Sequence, residues 1–286
     1  MKTRASTFPK VVACMPAWNA AAFIEPVLES LAAQTYPNLH VLISVDAGDD
    51  GTAELCAKFA QRYPNFEMLA QPTRLGWVEN SNVLIRRAAG EYLFFAFHDD
   101  PLFPTYVSRL VEAIERNPNA VNVFSDMLSA KGTEAYRELE GITDRFERAR
   151  KLLSPSGPWW CPNRGLVRAE VAKEVGGLRR HLGGEFGADW PWLMGLALRG
   201  EFVRVPEPLL YKDRRPEGLN TKFIKSATIW KRLSVRLACL REIRRVRPPL
   251  LTSLKLHLRG LACFVREERW LVQRKLARRA RLRGLP

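Results

Sequence analysis

The chain has 286 residues, with 45 Lys+Arg against 30 Asp+Glu and a formal charge of +15. Residues 212–286 hold 22 basic and 5 acidic side chains and residues 1–211 hold 23 and 25, so the excess belongs to the tail. A hydrophobic fraction of 47% with 10% aromatics excludes a disordered chain, and the length predicts one large domain with an appendage or two small domains.

Cys14, Cys56, Cys161, Cys239 and Cys263 are dispersed and odd in number, which fits neither a disulfide framework nor a zinc site. A reducing, cytoplasmic location is expected. The opening MKTRASTFPKVVACMP has no long apolar core before its prolines, so no secretion signal is expected. No apolar run reaches the roughly 18–20 residues of a spanning helix. A soluble protein, or one peripheral on the cytoplasmic membrane face, is the expectation.

In chain order, VVACMP (11–16) predicts a buried strand and residues 21–33 a helix. VLISV (41–45) predicts a second strand, residues 52–63 a helix, FEMLA (66–70) a third strand and residues 77–89 a helix stopped by Gly90. YLFFAF (92–97) is an apolar strand ending in His98-Asp99-Asp100, followed by a helix over about 104–116 and a strand over 121–125. This alternation predicts a mostly parallel α/β sheet covered on both faces, with ligands beyond the carboxyl ends of its strands. Polar residues collect at those ends: Pro16 to Asn19, Asp46 to Asp50, and His98 to Asp100.

Residues 134–153 predict a charged helical stretch, and SPSGPWWCP an irregular loop. GLVRAEVAKEVGG predicts a short strand and helix, GADWPWLMGLALRG a helix closed by Gly200, and EFVRVPEPLLY a last extended segment.

Three stretches in this order, MPAWNAAAFIEPVLESLAAQTYPNLHVLISVDAGDDGTAEL, RLGWVENSNVLIRRAAGEYLFFAFHDD and GGEFGADWPWLMGLALRGEFVRVPEPLLY, resemble family 2 glycosyltransferases with the GT-A fold. The resemblance covers roughly residues 9–215. It implies a Rossmann-like domain of the nucleotide-diphospho-sugar transferase type over 1–215; the charge and spacing of the tail add 216–286 as a basic amphipathic helical extension. It also implies a nucleotide-diphosphate sugar donor, a glycan or lipid-linked acceptor hydroxyl, and inversion at the anomeric carbon.

The leaving diphosphate needs its growing charge neutralised, usually by a divalent cation such as Mn²⁺ or Mg²⁺, and a hard cation takes carboxylate oxygen. Asp99 and Asp100 are the metal or diphosphate candidates, against the plainer reading that Asp100-Pro101 starts a turn. The family often has an Asp where this chain has Phe97; His98 is either a substitute ligand or a hydrogen-bonding neighbour. The family's histidine after the last strand has no counterpart in YKDRRPEG, which offers Lys212, Arg214 and Arg215 to phosphate instead.

For the nucleotide, Pro16, Trp18 and Asn19 match a Pro-X-Tyr-Asn segment, and Asp46 is a base or ribose contact or a turn former. Asp49-Asp50-Gly51-Thr52 shapes the following turn and caps a helix, with Val45 at the family's first Asp position. Gly76 and Asn82 match a further base-side segment, with Asn80 an equal candidate; Arg74 reaches phosphate or solvent. Asp189 corresponds to the catalytic base, or caps its helix, or both; Ala188 replaces the family's Glu, and Glu185 is close by. Trp159, Trp160, Trp190 and Trp192 either line the acceptor cleft or belong to the core.

In the tail, Ile229, Leu233, Leu237 and Leu240, then Leu254, Leu258, Leu261 and Val265, recur at helical spacing among Lys and Arg. A basic amphipathic segment over 222–286 attaches to an anionic membrane surface or packs its stripe on the core. No stacking-aromatic module accompanies it, so nucleic acid is not an expected partner. A nucleotidyltransferase would show a glycine-rich basic phosphate loop, and MPAWNAA is not one. Phe97 leaves open an inactive sugar-binding or scaffold protein on the same fold.

Overall fold

A computed structural model describes residues 8–212 and 226–282. The first half alternates as β1 (Val11–Ala17), α1 (Glu25–Ala32), β2 (Leu39–Val45), α2 (Thr52–Arg62), β3 (Phe66–Ala70), α3 (Trp77–Arg87), β4 (Tyr92–Phe95), α4 (Tyr106–Arg116) and β5 (Ala120–Ser129). Then follow β6 (Gly132–Glu134), α5 (Arg145–Leu152), a 3-10 turn (Cys161–Arg164), β7 (Leu166–Arg168), α6 (Ala169–Val175), α7 (Asp189–Ala197) and β8 (Glu201–Tyr211).

The sheet order is β3-β2-β1-β4-β7-β5-β6, with β8 on β5. Val11 pairs with Leu39 on one side and Tyr92 on the other, so β1, β2 and β4 run parallel and end on one edge. Every residue of β1 and β4 is buried, which is why these strands read as continuous apolar runs. Among the described strands only the short β6 and β7 run antiparallel to those they join, and β8 is parallel to β5. A register shift in β8 lies between the partners of Ser125 and Asp126, where Pro206 intervenes and Pro208 takes up the pairing.

Two elements differ from the sequence pattern. Helix α1 begins at Glu25 rather than near 21, with Pro26 in its first turn, where the missing N–H costs no hydrogen bond. The charged stretch 134–153 is helical only in α5, whose start is fixed by Asp144 accepting from the Glu147 amide at 2.7 Å. Upstream, Gly141 turns at φ 70° and Tyr136 is buried beside Phe124, so tertiary packing overrides the helical composition.

The tail forms α8 (Ile229–Arg245) and α9 (Leu250–Leu282). The predicted stripe on α8 is rotated: Ile229 and Leu237 are exposed, whereas Val235, Ala238, Cys239 and Ile243 are buried. Val235, Cys239 and Ile243 join the same core as the sheet, so α8 is continuous with the residue 1–215 unit rather than a free appendage. Arg236, also buried, donates to the Leu153 carbonyl and pairs with Glu267 at 2.5 Å. On α9 the inward face is Leu256, Cys263 and Phe264, while the predicted Leu254, Leu258, Leu261 and Val265 all face outward. The cations Arg214 and Arg215, and the stretch 222–225, lie outside the described residues.

Candidate active site

Backbone hydrogen bonds tie the ends of β1, β2 and β4 together. The Asp46 amide donates to the Ala17 carbonyl at 2.8 Å, and His98 Nδ1 donates to the Pro16 carbonyl at 2.9 Å. With Nδ1 carrying the proton, a neutral His98 keeps its lone pair on Nε2. Its ring lies 5.5 Å from that of Phe23.

Asp46 is buried, and its two carboxylate oxygens accept the amides of Leu75 at 2.6 Å and Gly76 at 2.8 Å. It latches the end of β2 to the start of α3. Gly76 adopts φ 83°, which favours glycine, and a Cβ there would lie 2.5 Å from Glu185 Oε1, which would have to swing aside. Trp18 donates from Nε1 to the Ala47 carbonyl, and the Arg74 guanidinium lies 3.5 Å over its ring. Asn19, exposed at φ 45°, follows it. Asp50 accepts from the amides of Ala21 and Thr52 and from the Thr52 hydroxyl, which sets the turn before α2. Beside these residues Asp46, Ala47, Gly48, Asp50, Thr52 and Gln71 line a small cleft of about 180 Å³.

The two asparagines of α3 separate in role. Asn82 spends both amide atoms on the backbone of Leu178, clamping α3 to the loop after α6. Asn80 is buried against the strand ends, donating to the Ser44 carbonyl at 3.0 Å, and its Oδ1 has no hydrogen-bond partner.

Beyond β4 lies a compact charge cluster. Asp100 is 1% exposed, with Oδ1 2.6 Å from Lys212 Nζ and Oδ2 2.9 Å from Arg164 Nε. Lys212 Nζ also lies 3.3 Å from Asp99 Oδ2. Burial opposes ionisation of Asp99, but Lys212, His98 and Arg164 outweigh it and hold its carboxyl below the usual range. Lys212 is delivered by β8: its amide donates to the Leu128 carbonyl, and that of Tyr211 to Pro101. Arg164 closes the 3-10 turn, lies 4.6 Å from the Phe97 ring, and has its carbonyl bonded by the Tyr106 hydroxyl. Phe97, standing where the family's leading Asp is expected, thus carries the Arg164 guanidinium on its face.

Asp189 begins α7. Desolvation raises its pKa above the ordinary carboxylate value, with the charge of Arg164 pulling the other way. Arg164 therefore acts electrostatically on Asp99, Asp100 and Asp189 together. A second chain of contacts joins the loop before α7 to the start of α3. The Leu75 carbonyl accepts from Arg180, Arg180 pairs with Glu185 at 2.8 Å, and the Glu185 carbonyl accepts from Trp77 Nε1. The loop that Asp46 holds is thus tied to the loop before α7, while Arg164 is the charge shared by Asp99, Asp100 and Asp189. Trp192 is core, packed on Phe95. Trp190 is half-buried, 5.1 Å from the Trp159 ring, and donates to the Leu152 carbonyl.

The residues at Asp99 and Asp100 do not fit a divalent cation in the expected way. Both Asp100 oxygens already accept from cations, and an ion on Asp99 Oδ2 would face the Lys212 ammonium. A charge of +2 beside one of +1 at about 4 Å costs about 8 kcal/mol at the effective dielectric of such sites. Among the described residues no group of three or more His, Cys, Asp or Glu side chains is placed to hold a metal.

Sequence reasoning named Lys212 but missed Arg164, which sits in a proline-bounded loop 64 residues from its carboxylate partner. Only its place in an otherwise unexplained loop was available as a signal.

A mostly parallel sheet whose strand ends carry a small cleft, paired carboxylates and a desolvated acid has the GT-A-like fold. The sequence profile of glycosyl transferase family 2 matches residues 12–176. The chain belongs to that family. It is 31% identical over 180 residues to the glycosyltransferase AglE of Haloferax volcanii, covering 62% of this chain and 58% of that protein. The chain spans 42%, 58% and 66% of the first three curated relatives it matches. Among solved structures it resembles S. aureus TarS 1–349 in complex with UDP-GlcNAc, with a TM-score of 0.69 at 18% identity, covering 88% of this chain and 73% of that one. It also resembles a Pyrobaculum calidifontis mannosyltransferase in complex with GDP-Man and Mn²⁺, with a TM-score of 0.57 at 17% identity, covering 90% and 81%. At these identities the likeness is one of fold.

Proposed function

We propose that the protein transfers a sugar from a nucleotide-diphosphate donor to a hydroxyl of a glycan or lipid-linked acceptor, with inversion. The observation that carries this is the placement of Asp189, a desolvated carboxyl with a raised pKa, in the field of the same arginine that binds Asp100. A raised pKa makes a carboxylate a better proton acceptor near neutrality. The nucleotide lies along the ends of β1 and β2, against Trp18, Asn19 and the loop that Asp46 holds. The diphosphate lies toward Lys212 and Arg164. As the acceptor oxygen bonds to the anomeric carbon, its proton passes to Asp189, and the carbon–oxygen bond to the diphosphate breaks with the electron pair leaving on the phosphate.

UDP-GlcNAc in TarS and GDP-Man in the mannosyltransferase support a nucleotide-sugar donor here. The test is release of nucleoside diphosphate from UDP-GlcNAc and GDP-Man by the full chain. Release by the parent that disappears in Asp189→Asn supports the enzyme. Binding without release supports the rival reading of a sugar-binding protein, which the replacement of an acid by Phe97 favours.

The tail supports a proposed working position at an anionic membrane surface, where a lipid-linked acceptor would be found. The outward apolar stripe of α9, flanked by Arg259, Arg266 and Arg269, has the character of an interfacial helix. Among the described residues no helix is long and apolar enough to cross a membrane.

A further inference from the structure

The charge pairing beyond β4 makes a different use of the two aspartates from the expected one. We infer that the donor diphosphate is held by the Lys212 ammonium and the Arg164 guanidinium in place of a divalent cation, with Asp99 and Asp100 serving to hold those two cations. The inference rests on the donor-site reading above.

Three observations support it. Asp100 is buried and both of its oxygens are engaged by cations: one accepts from Lys212, the other from Arg164. A metal ion reaching this carboxylate would bring its charge beside the Lys212 ammonium and the Arg164 guanidinium and compete with them for the same two oxygens. Second, Lys212 bridges both aspartates, at 2.6 and 3.3 Å, so the ammonium occupies the position between carboxylates that a hard cation would take. Third, both cations have donor capacity left. Lys212 carries three N–H bonds and uses two on Asp99 and Asp100; Arg164 carries five and uses Nε on Asp100 and Nη1 on the Trp160 carbonyl. A charge-assisted contact from either to a phosphate oxygen neutralises the leaving group as its charge grows.

The arrangement also explains why a lysine closes β8. Its backbone is fixed at the β5 end by the Leu128 carbonyl, so the long side chain runs inward to the aspartates. Arg164 is fixed on the opposite side by the Phe97 ring and the 3-10 turn. Both are preorganised, and no ordering of a flexible side chain accompanies binding.

The experiment is calorimetric titration of the full chain with UDP and, separately, GDP, each in EDTA and in Mn²⁺. The expected result is that whichever nucleotide binds does so with equal affinity in both, to within a factor of about two. Lys212→Met should weaken binding in EDTA by about tenfold or more. The same variant should recover affinity in Mn²⁺, because Asp99 and one oxygen of Asp100 are then free for a metal. Lys212→Arg keeps the charge and should bind in EDTA, which separates a lost contact from a misfolded site. Parent binding seen only with Mn²⁺ would overturn the inference and leave the donor site standing, as would undiminished binding by Lys212→Met in EDTA. Failure of both nucleotides to bind under either condition would instead overturn the donor-site reading and this inference with it.

Discussion

Asp100 and Lys212, 112 residues apart in sequence, meet at 2.6 Å with both side chains buried, and the contact joins the end of β4 to the end of β8. Such a pair is held by geometry: Arg164 completes the carboxylate on its other oxygen. Removing one member leaves a buried charge without compensation. Asp100→Ala should therefore destabilise the fold by about 3–5 kcal/mol, read by urea denaturation. A stability equal to the parent's would show that the pair is not buried in solution.

Asp189→Asn should separate catalysis from folding. Loss of the base should lower kcat by about 10²–10⁴ with little change in KM. Stability should move the other way. Desolvation raises the folded-state pKa of Asp189, so its contribution to stability is full below the unfolded pKa and is lost as pH rises through the folded value. The amide cannot ionise, so the variant should be more stable than the parent at neutral pH, by a margin that vanishes in acid. The parent's activity should fall as pH drops through the raised pKa, giving an acid limb above the ordinary aspartate range. Thermal melts and kcat/KM profiles across pH check both halves.

The Asp46 latch predicts coupled losses. Asp46→Ala strips the acceptors from the amides of Leu75 and Gly76 and should cost about 1–3 kcal/mol, with weaker nucleotide binding because the β2–α3 crevice loosens. Gly76→Ala should do the same by a different route, through φ 83° and the close approach of Glu185. A nucleotide titration beside a denaturation curve reads both.

For the membrane surface, Leu254→Glu, Leu258→Glu and Leu261→Glu combined should abolish co-sedimentation with anionic vesicles while the melting temperature changes little, since all three side chains face outward. Unchanged co-sedimentation would remove the membrane reading. Truncation from residue 222 is a poorer test than the sequence suggests. It removes Val235 and Ile243 from the core, at about 1.5–3 kcal/mol each, and should leave a chain that does not fold.

Much of the fold was legible because a buried parallel strand must be apolar on both faces and leaves an unbroken run, as in VVACMP and YLFF. The turn chemistry was legible for the same local reason: Asp50 and Thr52 act within two residues of each other. The charged stretch 134–153 departs from its helical pattern because Tyr136 packs on Phe124 of β5, and the buried face of α8 differs because its partners lie on α7 and α9. Asn80 and Asn82 look equivalent in a string, and only the loop at Leu178 tells them apart.

Sequence alone determined the alternation of strands and helices, and the polar and acidic residues carried at the strand ends, because each follows from the chemistry of near neighbours. Which cations those acids face was decided only by the tertiary structure. Arg164 and Lys212 reach Asp100 from 64 and 112 positions away, through a loop and a strand whose paths are set by packing. Electrostatic partnership depends on distance through space, and the order of residues along a chain does not contain it.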